Sequence, residues 1–562
     1  MKKILISAAI ILTTSTLFCQ EALKTNEEDY YNFLALKGLY EYPTTNYRTL
    51  SDNEWLSLCD NNENHPLAGK NLGNKYSLVN LISADNWFTN GLNKSLNLKI
   101  YGPEWFNSYN TKQPYGQNDG GLWQGKGYNT SLSAGLRAEA AGFAFTFKPQ
   151  LSWSQNKDFA YREGVYNDKH SYFWNGYIDL VQRYGDTAFW NYDWGDTEAR
   201  FNWYNFTVGF GFQSPWLGPA YMNPMLGSNN AGTYPKIDLG LRRTDINIPY
   251  LGWNIGTFEG RIWTGRLTAS DYFYPDVESK DRMLHGISLS FEPSFIPGMY
   301  FGVNRIFILY WKPENIKYIG RLFTLSRDNA LSSSGNDEDQ KVALNMGWRF
   351  PQIGFEFYGE FGIDDFSSEE VANPFHTGIY TVGGKQYIPL NFSKLNPKFK
   401  NIDSELILEW SNFEMSQDFQ LQWGYMGYYG HGFVKEGYTN NGQIIGAGYG
   451  YAGNSQYAAW KFYYSKGYIM PYFHRFCPDN NFIYNKAVYA DGSKGSGNDI
   501  NKQWYAVFKT FCTVGLKQSI FVTNSLCLDS AFCYSLTFYP EWDVNNRVMQ
   551  HFRLELSGKY NF

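Results

Sequence analysis

Two groups of side chains in this 562-residue chain have types and spacings suited to chemistry. The first is the tight turn Pro215-Trp216-Leu217-Gly218-Pro219, followed by Tyr221 and Asn223 and then by Ser228-Asn229-Asn230. Aromatic rings offer flat apolar faces to the C–H face of a pyranose, and amides bond its hydroxyls as both donor and acceptor. Trp216, Tyr221, Asn223, Asn229 and Asn230 therefore form a candidate glycan-binding set. The same residues also read as a plain turn, with Trp216 anchored at a lipid–water interface; spacing leaves both readings open. The second group is acidic: Glu356, Glu360, Asp364 and Asp365, then Glu405 and Glu409, with Glu259 and Arg261 upstream. It fits an acidic channel wall, or a charge network closed by Arg261, Arg266 and Arg305. His431 lies between Gly430 and Gly432, as a glycan ligand, a proton carrier or a turn residue.

No catalytic set accompanies these groups. The chain has no His-Glu-x-x-His, no Gly-x-Ser-x-Gly elbow and no Gly-rich phosphate loop, and its seven histidines are scattered. The expectation is a protein that is not an enzyme, with no cofactor and no bound metal. The acidic stretches 335–339 and 491–499 read as solvated loop tips rather than calcium sites. Six cysteines at irregular spacing make neither a disulfide framework nor a zinc site, and Cys527 and Cys533 read as small buried hydrophobes. A net charge of −5 argues against a nucleic-acid partner.

The elements that would hold these groups start with an export signal. Lys2 and Lys3 precede an apolar stretch from Ile4 to Phe18, with cleavage expected after Cys19; Phe18 is too large for a lipidation site. Residues 20–70 read as short helices. Thr25 and Glu28 stand at capping-box spacing before Tyr30, Tyr31, Phe33, Leu34 and Leu36, with Gly38 placed to end the helix, and Ser51 with Glu54 forms a second box before Trp55.

The barrel is expected over residues 71–562, and from about residue 75 the hydrophobic period becomes two. Phe143, Phe145, Phe147, Leu151 and Trp153 alternate with Ala144, Thr146, Lys148, Gln150 and Ser152, and Phe355, Phe357, Phe361 and Ile363 alternate with Glu356, Tyr358, Glu360 and Asp364. Runs of this length match the ~9–11 residues of a membrane-spanning strand, with the apolar face to lipid and the polar face to the lumen. Pro149 predicts a break in its ladder. The 45 Tyr, 43 Phe and 19 Trp suit a barrel, whose interfaces are belted by Tyr and Trp. The final run puts Phe552, Leu554, Leu556, Tyr560 and Phe562 on one face and ends on the aromatic. The fold class is therefore all-β, a transmembrane antiparallel barrel of roughly 16–20 strands in an outer membrane.

The Trp-Gly-Pro turn followed by Ser-Asn-Asn resembles the Wzi family of capsule-assembly outer-membrane proteins. Phe33-Leu34-Ala35-Leu36-Lys37-Gly38-Leu39 is similar to that family's N-terminal helical element, and Glu259–Leu267 to its Gly-Arg-Leu strand. Gly362-Ile363-Asp364-Asp365 and Tyr429-Gly430-His431-Gly432 fall where its later Asp-Asp and Gly-His elements lie. The resemblance implies about eighteen strands, a helical periplasmic plug, and a lectin-like role binding and anchoring capsular or other surface polysaccharide. A porin-like channel for small polar solutes is the alternative. Expected partners are outer-membrane lipid, a lipopolysaccharide-like surface, surface polysaccharide and the barrel-assembly machinery during insertion, with the barrel itself a monomer.

Overall fold

A computed structural model describes residues 26–40, 42, 44–49, 65–164, 168–173, 177–248, 250–273, 280–324, 338–364, 378–394, 402–414, 427–480, 508–542 and 545–562. The signal segment 1–19, the second capping box at Ser51, Asp365 and the acidic stretches 335–337 and 491–499 lie outside the described residues.

Successive residues of a strand point to opposite faces, so a period of two gives each strand a lipid face and a lumen face. Eighteen antiparallel strands among the described residues close into one barrel. The first, Ser95–Asn110, pairs with the last, Val548–Tyr560, in a register running from Glu104↔Lys559 to Asn110↔Arg553. Two strand positions are broken: Phe143–Phe147 resumes as Gln150–Ser154, and Phe189–Asp193 as Glu198–Trp203. The first break falls at Lys148 and Pro149, where proline has no N–H for the ladder. Phe143, Phe145, Phe147 and Leu151 face outward while Ala144, Thr146, Gln150 and Ser152 are buried. On the last strand Phe552, Leu554, Leu556 and Tyr560 are exposed to the outside, and the Phe562 carbonyl accepts the Asn74 N–H.

The two ends of the barrel differ. Turns such as 141–142, 204–205, 465–466 and 522–525 are short, whereas 155–188, 212–235, 413–453 and 478–509 are long. Short turns mark the periplasmic end and long loops the cell surface. The chain's C-terminus lies at the short-turn end, and so does the helix Asn26–Leu36. Gly38, at φ +74°, ends that helix in the left-handed conformation, with Leu39 N–H donating to the Leu34 carbonyl.

Two expectations are corrected by this fold. Arg305 faces outward, where it donates to the carbonyls of Leu322 and Thr324 in the 3-10 segment Pro313–Phe323 and its aftermath, rather than joining a lumen network. That segment lies on the outer wall over Ile287, Phe307 and Leu309. Arg266 is half-exposed on the same outer face and pairs with Asp281. Aromatic residues also fill the lumen: Tyr30, Tyr31, Tyr358, Tyr457, Tyr463 and Tyr468 form a buried cluster inside the barrel. Tyrosine suits a filled lumen because it brings apolar area together with a hydroxyl that hydrogen-bonds the polar wall. Cys477, Cys512, Cys527 and Cys533 are free thiols.

Candidate functional site

Inside the barrel the chain packs against itself. The helix Asn26–Leu36 is anchored by ion pairs from Asp29 to Lys461 at 3.2 Å, Glu27 to Lys559 at 2.9 Å, and the following Lys37 to Asp403 at 2.6 Å. Phe33 stacks on Tyr463 with ring centroids 4.3 Å apart. Residues 44–49 then run up the lumen. Glu259 accepts the backbone N–H of Thr45 at 2.6 Å and of Tyr47 at 3.2 Å, and Tyr47–Arg48 pairs with Trp216–Leu217 as a two-residue antiparallel ladder.

The loop 212–235, leaving the outer end of the strand Phe206–Gly211, turns down into the lumen to meet this segment. Glu360 accepts the N–H groups of Ala220 at 2.9 Å and Met225 at 3.0 Å. Glu409 accepts those of Tyr221 at 2.6 Å, Asn223 at 2.9 Å and Met222 at 3.1 Å, together with the Tyr358 hydroxyl at 2.9 Å. Two carboxylates thus serve as acceptors for five backbone donors of one loop, in a space from which water is excluded. Gly218 sits at φ +93°, and a β-carbon there would press on the Glu360 carboxylate. The Trp216 indole N–H donates to the Ala220 carbonyl at 2.9 Å, and the Arg48 guanidinium lies 5.4 Å from its ring centroid.

The remaining acidic residues are also built into the wall. Glu356 pairs with Arg349 at 3.1 Å, Lys341 bridges Asp339 at 2.8 Å and Asp364 at 2.5 Å, and Arg261 reaches Asp238 at 2.7 Å. Glu259, Arg261, Glu356, Glu360, Asp364, Glu405 and Glu409 are all buried toward the lumen. The charge partners are therefore Arg349 and Lys341, with Arg261 used on Asp238.

The six glycan-binding candidates occupy different places. Trp216 (2% exposed), Tyr221 (8%) and Asn223 (1%) lie in the lumen loop, and Trp216 is away from any lipid interface. Asn229 is buried, its carbonyl accepting the Gly120 N–H at 2.6 Å. Asn230 is half-buried and donates to the Ile444 carbonyl at 2.8 Å. His431 holds a turn, its Nδ1 accepting the Val434 N–H at 3.0 Å.

Asn230 opens onto a second region that no local spacing in the sequence marks. A crevice of about 270 Å³ lies at the cell-surface end, between loop 113–124, residues 159–161, 172–173 and 180–182, residues 442–450, and the segments around Phe476, Phe511 and Trp542. Its volume approaches the ~300–1,000 Å³ of small-molecule sites. Its walls carry aromatic faces: Phe476 stacks on Phe511 with centroids 4.4 Å apart and planes at 7°, and Phe173 meets Trp542 at 4.4 Å. Tyr115, Trp123, Tyr161 and Tyr172 add further rings, and Gln113, Gln117, Gln182 and Asn230 add amides. Asp119 and Lys509 are the one carboxylic acid and the one cation among the described lining residues. Burial pushes the Asp119 carboxyl up to about 6 and pulls the Lys509 ammonium down to about 8.

Rings beside amides, at the mouth of a filled barrel, are groups that can stack on a pyranose face and bond its hydroxyls. Comparison with solved structures agrees with the fold. The barrel is similar to Wzi of Escherichia coli, described as an outer-membrane protein involved in group 1 capsule assembly and a carbohydrate-binding β-barrel. The two share 12% identity over 82% of this chain and 85% of that one, with a TM-score of 0.53. OccD3 of Pseudomonas aeruginosa (9% identity, 87% and 95% coverage, TM-score 0.39) and OprB of Pseudomonas putida (10%, 83% and 94%, 0.34) are too distant in shape to weigh on function. No curated protein matches the chain. The family model for capsule assembly protein Wzi matches residues 107–469, which span most of the barrel and both regions' central loops. The chain belongs to the Wzi family of capsule assembly proteins and is a barrel of the outer membrane.

Proposed function

We propose that this protein is a lectin-like anchor that binds capsular or other surface polysaccharide at the outer mouth of its barrel and retains it on the cell. The observation that carries this reading is the aromatic and amide-lined crevice at the cell-surface end. In this reading Asn230 contacts the glycan. Trp216, Tyr221, Asn223 and Asn229 set the height and rigidity of the loop that forms the crevice floor, and His431 holds a neighbouring turn. Residues 20–70 act as the periplasmic plug and 71–562 as the barrel. The lumen packing supports an anchor over a diffusion channel, because the helix, residues 44–49 and loop 212–235 occupy the space a solute would cross. The role is one of binding, without catalysis or cofactor.

The test is the distribution of polysaccharide between cells and medium when the gene is deleted and then restored. Release of glycan from the surface, reversed on restoration, is the expected result. Unchanged cell-attached polysaccharide would overturn the reading.

A further inference from the structure

We infer that the outer crevice selects a sugar unit bearing a carboxylate, a uronate or similar acidic residue, and that Lys509 is the group that recognises it. The inference rests on the glycan-binding reading above and specifies its ligand.

Four of the barrel's buried lysines are paired with carboxylates, while Lys236 is held by the Gln213 carbonyl and Lys385 lies over the Tyr221 ring. Lys148 reaches Asp196 at 2.7 Å, Lys341 reaches Asp339 at 2.8 Å, Lys461 reaches Asp29 at 3.2 Å and Lys559 reaches Glu27 at 2.9 Å. Burying an ammonium is costly unless an anion or several acceptors replace its water. Lys509 is half-buried at the crevice wall and makes no ion pair among the described residues. Its ammonium lies 4.7 Å from the centroid of Trp542 and 5.6 Å from that of Phe511. Ring faces attract a cation weakly, at ~0.5–2 kcal/mol, and leave its N–H donors available. Glu541 is the acidic neighbour whose charge Lys509 senses, but it makes no ion pair with it among the described residues.

The ammonium is thus held at the crevice wall between two rings, with room beside it for an anion. A pyranose resting on such a ring face would carry a ring carboxylate at its edge, within reach of a cation packed on the same face. The opposing charge in the crevice is Asp119, bonded by Gln124 of its own loop and influenced by the charges of Arg553, Glu555 and Lys517 on nearby strands. A neutral sugar offers Lys509 only hydroxyls. A charge-assisted contact is roughly twice as strong, so acidic ligands gain about tenfold or more in affinity.

The experiment is equilibrium binding of the purified full-length barrel to oligogalacturonates and oligoglucuronates, to their carboxyl-reduced counterparts, and to the producing cell's own polysaccharide. Lys509→Gln and Lys509→Arg are measured alongside, each checked for the heat-dependent gel shift of a folded barrel. The expected result is tenfold or greater preference for an acidic form, abolished in Lys509→Gln and kept in Lys509→Arg. Equal binding of acidic and reduced forms, or a preference that survives in Lys509→Gln, would overturn the inference and leave the glycan reading standing. Binding of the cell's polysaccharide but of neither uronate series would do the same. Failure of every glycan to bind would overturn both. If Lys509→Gln does not fold, the comparison of acidic with reduced ligands on the native barrel still decides.

Discussion

Around Glu360 and Glu409, carboxylates in the lumen are turned inward on the protein, each gathering backbone N–H groups of loop 212–235. Around Lys509 and Asp119, half-buried charged groups line an open crevice, Lys509 beside the Trp542 ring and Asp119 bonded by Gln124. Both regions are rich in tyrosine and tryptophan, and both are closed to lipid. The difference is in where the polar valence goes. A group whose hydrogen bonds are met within the chain stabilises the fold and has nothing left to offer a ligand. A group supported only by ring faces is costly to bury and becomes useful when something binds. On the proposed reading, structure belongs to the lumen and recognition to the mouth.

Substitutions that empty the lumen should damage the fold first. Glu409→Ala leaves the N–H groups of Tyr221, Met222 and Asn223 and the Tyr358 hydroxyl without an acceptor. Breaking one buried charged acceptor of this kind costs roughly 3–5 kcal/mol. A large drop in the temperature of the folded-to-unfolded gel shift is expected, with glycan affinity unchanged in the fraction that folds. Gly218→Ala forces a β-carbon into the left-handed region and onto Glu360, a strain of about 1–3 kcal/mol, and should lower the same midpoint by less.

At the mouth the order reverses. Trp542→Ala removes a ring that supports Phe173 and Lys509, and should weaken glycan binding by about tenfold while the melting midpoint moves little. The smallest effect is that of pH. Burial depresses the Lys509 pKa to about 8, so its charge is present below that value and lost as pH rises through it. Affinity for an acidic glycan should therefore fall between pH 7 and 9, and that for a neutral glycan should not. A titration at fixed ionic strength checks this, and identical pH profiles for the two ligands would remove Lys509 from the binding account.

Much of the barrel was legible from its period of two, because every spanning strand must satisfy lipid on one side. The phase came through as well: Glu356, Tyr358, Glu360 and Asp364 face inward as the alternation requires. Pro149 marked its break and Gly38 its helix end, since both act through their own backbone geometry. The direction of loop 212–235 was not legible. Its descent into the lumen depends on a ladder with Tyr47 and Arg48 and on carboxylates far along the chain. Arg305 was misplaced because its outward position is tolerable only under the segment Pro313–Phe323, whose docking no local pattern announces. The crevice was missed for the same reason. Tyr115 and Tyr172 meet Phe511 and Trp542 from a distant part of the chain, and the four share no spacing.

The division of labour between lumen and mouth is tested most directly by one comparison: co-sedimentation of the cell's surface polysaccharide with liposomes carrying the native barrel, Trp542→Ala or Glu409→Gln, each confirmed as folded. The account predicts that polysaccharide pellets with the native and Glu409→Gln barrels and is largely lost from Trp542→Ala. Retention by Trp542→Ala together with loss from Glu409→Gln would place the glycan in the lumen and contradict it.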